Sequence, residues 1–263
     1  MLSYQHAYHA GSLADMHKHG ALCVLLSHMR EKPKRLTYME THSGRGLYDV
    51  AAKESRKTGE AQAGIIKLLP EGIPPKNHPF YRMIERVREK HGPTAYPGSP
   101  LIARGLLNAD DPMHLMELHP AEFEALSENM QGTGAQVNYQ DGYEGVWELS
   151  PPPPGEPRRG LVFIDPSYEI KSEYEDAARF VEALHEKWPE ACIVLWYPIL
   201  KAGLHEDMAD YLADADLKGL QRREIHLKTG KEGHGLLGSG LLLINPPFGV
   251  DKGLKAVEEW FEG

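Results

Sequence analysis

Hydrophobic positions along the chain follow two periods that alternate. Over residues 12–31, Leu13, Met16, Gly20, Cys23, Val24, Leu25 and Met29 recur every three to four places, the spacing of one buried helical stripe. Ser12 is placed to cap that helix, Asp15 falls in its first turn, and Pro33 stops it. Short apolar runs then predict strands at 35–40, 113–118, 136–139, 160–164, 191–197, 222–227 and 241–245. Helices are predicted between them at 120–130, 173–187 and 204–214. Several of these strands are apolar throughout, the pattern of strands buried on both faces in a parallel sheet. Seven strands alternating with helices predict a doubly wound α/β sheet, a single domain over 1–263.

The alternation pauses between 50 and 112. Segments 59–69 and 79–90 have helical spacing and are separated by the turn-rich stretch 70–79, which predicts a small helical insertion. In Tyr96-Pro97-Gly98-Ser99-Pro100, Ser99 reads as an N-cap with Pro100 at the first helical position. Residues 1–11 have no period and read as a tail that other parts of the protein must order.

Chemistry enters at Gly160–Glu169. The strand over 160–164 runs straight into Asp165-Pro166-Ser167-Tyr168, and the carboxyl ends of strands are where open α/β sheets place their sites. Asp165 and the Pro166 carbonyl can each accept one hydrogen of an exocyclic amino group, and Tyr168 can stack on a planar base. The stretch is similar to the [DN]-P-P-[YF] motif of amino-group methyltransferases, with Ser167 in place of the second proline. A proline ending a strand beside an Asp that caps a turn is the competing explanation.

Upstream, the 35–40 strand ends in Glu40, and Thr41-His42-Ser43-Gly44-Arg45-Gly46 follows. A strand, an acid and G-x-G open the class I S-adenosylmethionine enzymes, where glycine lets the backbone approach the ligand. A dinucleotide fold competes, but position 49, where its third glycine belongs, is Asp. Three acids then follow at successive strand ends: Glu117, Asp141 and Asp165. Parallel topology puts these ends along one rim. Glu117 suits the two hydroxyls of a ribose, Asp141 the amino group of the cofactor's adenine with Gly142 leaving room for the ring, and Asp165 the substrate. A second match, Asn245-Pro246-Pro247-Phe248, follows the last strand, which usually inserts antiparallel and ends elsewhere.

Composition narrows the partners. Hydrophobic residues make up 41% with no apolar run near 18 residues, which predicts no membrane span, and the amino terminus lacks a secretory signal. Cys23 and Cys192, each in an apolar segment, read as free thiols in a reducing cytoplasm. The net charge of −9 argues against gripping nucleic acid over the whole surface. Local basic strips remain: Arg30 to Arg35, Lys53 with Arg56 and Lys57, Arg82 to Lys90, and Arg158 with Arg159. His6, His9, His17 and His19 do not read as a metal site, because His17 and His19 point to different helix faces and methyl transfer from a sulfonium needs no metal.

Across nearly its whole length the chain resembles the bacterial 23S ribosomal RNA adenine-N6 methyltransferases of the RlmJ type. The resemblance is carried by Met1-Leu2-Ser3-Tyr4-x-His6-x-x-His9-Ala10-Gly11, by Ala14-Asp15 with Lys18-His19, by Thr41-His42-x-Gly44-x-Gly46 and by Tyr96 to Arg104. Glu117-Leu118-His119-Pro120, Asp141-Gly142, Trp196-Tyr197-Pro198 and Ser239-Gly240 with Ile244-Asn245-Pro246-Pro247 complete it. It implies a class I S-adenosylmethionine-dependent methyltransferase, Rossmann-like with a seven-stranded mostly parallel sheet, acting on adenine 2030 of 23S RNA before the ribosome is fully assembled. S-adenosylmethionine is the implied cofactor, S-adenosylhomocysteine its product, and a cytoplasmic monomer the implied form. Cofactor contacts are implied for His19, His42, Gly44, Gly46, Ser99, Glu117, Asp141, Gly142 and Asp165. Asp165, Pro166 and Tyr168 are implied to be catalytic, with Tyr4, His6, Lys18 and Tyr168 on the substrate side and the 1–11 tail mobile over the active site. Ser167 departs from the family's proline; since the carbonyl used belongs to Pro166, activity is expected to survive with a less rigid loop. Two alternatives stay open at this point: methylation of DNA adenine or a smaller amine, and binding of external DNA without methyl transfer.

Overall fold

The long apolar stripe becomes α1 (Leu13–Arg30), and Ser12 Oγ caps it by accepting from the Asp15 N–H at 3.2 Å. This comes from a computed structural model that describes residues 5–227 and 236–262. After α1 the chain forms β1 (Thr37–Glu40) and β2 (Leu47–Asp49), then α2 (Lys53–Thr58), α3 (Glu60–Ala63), α4 (Ile65–Leu68) and α5 (Pro79–His91). β3 (Ala95–Pro97), α6 (Ser99–Leu106), β4 (Met113–Met116), α7 (Pro120–Asn129), β5 (Gln136–Asn138), α8 (Gly142–Glu148) and β6 (Gly160–Ile164) follow. The remainder is α9 (Glu173–Lys187), β7 (Ala191–Leu200), α10 (Leu204–Asp214), β8 (Gln221–His226), β9 (Leu236–Ile244) and α11 (Asp251–Glu258).

Seven strands make one sheet in the order β5-β4-β1-β6-β7-β9-β8. β9 runs antiparallel to both its neighbours, and the pairings of β5, β4, β1, β6 and β7 are parallel. β1, β4 and β6 are buried at every position, as expected of central strands covered by helices on both faces. From β1 the chain crosses to β4 and β5 on one side, then returns to β6 on the other. That reversal opens a crevice at the carboxyl ends of β1, β4 and β6.

β2 and β3 form a separate antiparallel pair with Tyr48 opposite Tyr96; three-residue strands joined across a long insertion leave no periodic signal. The helix expected over 59–69 is broken into α3 and α4 at Gly64, where an added Cβ would stand 2.2 Å from the Gly11 carbonyl oxygen. Only glycine permits that approach, and Gly11 then accepts from the Ile65 N–H at 2.9 Å. The Tyr8 carbonyl accepts from Thr58, and His9 pairs with Glu60 at 2.8 Å. From residue 5 on, the aperiodic amino-terminal stretch is therefore packed onto the insertion helices.

Two helices carried no prediction. α8 is short and opens at Asp141, which had been read only as a ligand. α11 buries Leu254 and Val257. Gly20, in the α1 stripe, is small because Trp260 fills its space, 2.7 Å from where a Cβ would be. The NPPF loop after β9 lies at the opposite end of the sheet from the crevice: Asn245 Nδ2 donates to the Pro189 and Ala191 carbonyls at the start of β7.

His17 of α1 is buried and bonded to Ser239 Oγ at 3.0 Å, the same oxygen that accepts from Trp196 Nε1 at 2.9 Å. Burial lowers its pKa to about 3, so the folded state resists the proton that the unfolded chain accepts near pH 6.5. With the folded pKa depressed, stability is full above about pH 6.5 and falls as pH drops toward the folded value. Denaturant titrations at pH 7 and pH 5 should show that loss, and His17→Gln should reduce it, the remainder coming from the equally depressed His19.

Candidate active site

One cavity sits in the crevice, and the strand ends build its wall. Glu117 after β4, Asp141 after β5 and Asp165 after β6 all line it, with His6, Lys18, His19, His42, Gly44 and Ser99. Each is placed by ordinary local chemistry. Glu117 accepts the Gly44 N–H at 2.8 Å and the His119 N–H at 2.7 Å, which fixes the glycine turn against the neighbouring strand end. Burial pushes the Glu117 pKa up, and those two N–H groups oppose the rise. Asp141 caps α8 by accepting the Tyr143 and Glu144 N–H groups at 3.0 and 3.1 Å.

Gly44 is held at φ +59, its N–H on Glu117, and a Cβ there would meet the Tyr48 hydroxyl at 2.3 Å. Gly46, also left-handed, stands behind the wall, where its carbonyl accepts from the Gly98 N–H at 2.8 Å. Gly142 lines the cavity for a reason other than room for a ring. A Cβ there would lie 2.0 Å from the Thr41 carbonyl oxygen, so the glycine lets the start of α8 touch the end of β1.

Lys18 is buried, its ammonium 2.6 Å from Asp165 Oδ2 and 3.0 Å from Asp15 Oδ1 and 4.8 Å from the centre of the Trp196 ring. Asp165 Oδ1 has no hydrogen-bond partner among the described residues. Asp15, which carried no site prediction, also accepts from the Gly11 N–H at 2.9 Å and bonds His6 Nε2 at 3.0 Å. Burial alone would raise the Asp15 pKa, but His6, Lys18 and His19 outweigh it and hold it well below the usual carboxylate range. His6 thereby joins the cavity wall with its ring edge-on to Tyr48, centroids 5.2 Å apart. Tyr4 lies outside the described residues.

His19 is buried beside the Tyr96 hydroxyl at 2.9 Å, and burial lowers its pKa to about 3, so the ring is neutral. Burial also lowers His42, against the pull of Asp165 and Asp141. Ser99 does not cap α6 with its side chain. Gly98 takes the cap position, and the Ser99 hydroxyl instead donates to Glu40, a fully buried carboxyl that also accepts from Tyr38 at 3.0 Å. Burial pushes Glu40 well above the ordinary carboxylate range. Glu40, the acid before G-x-G in the sequence, is thus a supporting residue buried behind the wall, a role its position alone did not state.

The loop after β6 alternates. Asp165 and Ser167 line the cavity, while Pro166 and Tyr168 are buried and do not. Tyr168 corrects an expectation, since its ring is not offered to a base. Its hydroxyl donates to the Trp196 carbonyl at 2.8 Å, its ring packs on Tyr174 with centroids 4.4 Å apart, and its backbone is left-handed at φ +54. A non-glycine residue held there costs on the order of 1–2 kcal/mol, offset by the anchored ring. Ser167, where proline was expected, donates to Glu173 at 3.3 Å, so side-chain bonds restrain the loop.

Strand order, glycine turn and acidic rim together define a class I S-adenosylmethionine-dependent methyltransferase. The cofactor fits the donors present: a carboxylate at the second strand end, a capping Asp at the third, and a turn whose glycine excludes a Cβ. Within that class, the chain belongs to the family described as ribosomal RNA large subunit methyltransferase D, RlmJ, whose pattern matches residues 33–263. It is 30% identical over 262 residues to the ribosomal RNA large subunit methyltransferase J of Escherichia coli, spanning 99% of this chain and 92% of that protein. The protein of the same name from Haemophilus influenzae is 32% identical over 260 residues, spanning 98% and 92%. A crystal structure of a Legionella pneumophila protein matches with a TM-score of 0.84 at 33% identity, over 96% of this chain and 94% of that one.

Proposed function

We propose that this protein methylates the N6 amino group of an adenine in 23S ribosomal RNA. The observation that carries the reading is Asp165: one carboxylate oxygen held by Lys18, the other without a hydrogen-bond partner among the described residues, on the cavity that Glu117 and Asp141 also line. Relatives named as large-subunit ribosomal RNA methyltransferases supply the substrate class.

S-adenosylmethionine supplies an electrophilic methyl group on a sulfonium, and Glu117, Asp141, Gly44, His19, His42 and Ser99 are the residues that would hold it. Adenine N6 is a weak nucleophile because its lone pair is delocalised into the ring. Asp165 Oδ1 accepts one N6 hydrogen, and the Pro166 carbonyl, on the peptide that leads into the cavity-lining Ser167, would accept the other as the base enters, which favours a pyramidal nitrogen with its lone pair free for in-line attack. As the nitrogen–carbon bond forms and the carbon–sulfur bond breaks, the surplus proton leaves through Asp165 or water. Lys18, 2.6 Å from Oδ2, orients the Asp165 carboxylate for acceptance. The base reaches this depth only after leaving its stack. His6 lines the cavity where the base would be received, and Tyr168 acts by holding the loop.

The test is methyl transfer to 23S RNA from cells lacking the activity, with N6-methyladenine mapped by mass spectrometry and duplex DNA run in parallel. One new N6-methyladenine in the RNA is expected. No transfer to RNA, or transfer to DNA alone, overturns the reading.

A further inference from the structure

The cavity is acidic, and an RNA chain cannot follow its base inside. Glu117, Asp141, Asp165 and Glu173 line the pocket, and carboxylates repel phosphate, so the backbone must be held at the rim while the base enters. Most of the surface cannot do this. Residues 53–91 carry nine Lys and Arg against five Glu, a surplus of four positive charges in a chain whose total is −9, so the remainder carries −13. Elsewhere, arginines are largely spent on carboxylates, as in Arg45 with Glu122, Arg158 with Glu190 and Arg223 with Asp251.

On α2 the situation is reversed. Lys53, Arg56 and Lys57 are exposed, and Lys53 and Arg56 form no ion pair among the described residues. The helix is oriented by its other face: Ser55 is buried and Thr58 donates to the Tyr8 carbonyl. Lys57 Nζ stands 5.6 Å from the Tyr8 ring centre, two residues along from His6 in the cavity wall. The helix that carries these three cations is thus tied, through Tyr8, to the segment that places His6 in the cavity wall.

We infer that Lys53, Arg56 and Lys57 form a phosphate-binding strip at the cavity mouth that holds the RNA backbone beside the extruded adenine. The inference rests on the RNA methyl-transfer reading and adds where the polyanion is gripped. Such contacts are sequence-independent and salt-dependent, each phosphate contact adding about 0.7 (single strand) to 0.9 (duplex) to the slope of log affinity against log salt.

The test is the triple variant Lys53→Gln, Arg56→Gln, Lys57→Gln beside the control pair Lys252→Gln, Lys255→Gln on α11, whose lysines are also exposed. RNA affinity is measured by filter binding across a salt series, KM and kcat with a 23S RNA fragment, and S-adenosylmethionine affinity by calorimetry. For the triple variant we expect KM for RNA to rise about tenfold or more and the salt slope to shrink by about 2 to 3. Its kcat at saturating RNA and its cofactor affinity should match wild type, as should every parameter of the control pair. A wild-type KM and slope in the triple variant, or an equal loss in the control, overturns the strip while leaving methyl transfer standing. A wild-type protein that transfers no methyl group to RNA removes the underlying reading, and the strip with it.

Discussion

Asp165→Asn is expected to lower methyl transfer about 10²- to 10³-fold, the usual cost of removing one preorganised electrostatic partner of a transition state. Asn is nearly the same size, so the cavity keeps its shape. What changes is charge and donor pattern. An amide NH₂ facing the substrate donates where acceptance is needed, and the Lys18 ammonium, 2.6 Å from Oδ2, loses its anionic partner on that side. Single-turnover transfer of a labelled methyl group at saturating RNA reads the effect. Retention of more than a tenth of the wild-type rate would mean that the Pro166 carbonyl alone activates the amine.

Asp15→Ala carries the second large effect, on stability as well as activity. The substitution removes one carboxylate contact from a buried ammonium, a histidine and a backbone N–H together. Breaking a buried ion pair on one side costs about 3–5 kcal/mol, so the melting temperature should fall by roughly 10 °C. Activity should fall further than unfolding explains, because His6 and Lys18 lose their placement. The pH dependence has a definite sign. Since the folded pKa of Asp15 lies well below the ordinary value, its stabilisation is complete above about pH 4 and is lost as pH falls through the folded pKa. Asp15→Asn should remove that acid-side decline; a variant with wild-type melting and wild-type transfer would refute the role given to Asp15.

The residues that were legible in the sequence are those whose placement follows from periodicity and topology. The α1 stripe needs only its own spacing, and Glu117, Asp141 and Asp165 meet because parallel strands deliver their ends to one side. Lys18 and His6 came from the resemblance, and the geometry joins them through Asp15. That residue was hidden because an acid in a first helical turn already has a sufficient explanation in the helix dipole; its partners on the amino-terminal stretch become visible only once Gly11 folds back against Gly64. Tyr168 was misplaced because a motif states which residues follow Asp165, while the left-handed backbone that turns the ring inward is a tertiary outcome. At Gly142 the sequence could not show the close approach of the Thr41 backbone, which is distant along the chain.

The carboxylate of Asp165 also filters what can be alkylated. An aliphatic amine is protonated near neutrality; the carboxylates around the pocket would attract that cation, but an ammonium has no lone pair and cannot attack a methyl group. An aromatic amine is uncharged and reacts without first shedding a proton, so free polyamines and lysine side chains are disfavoured as methyl acceptors.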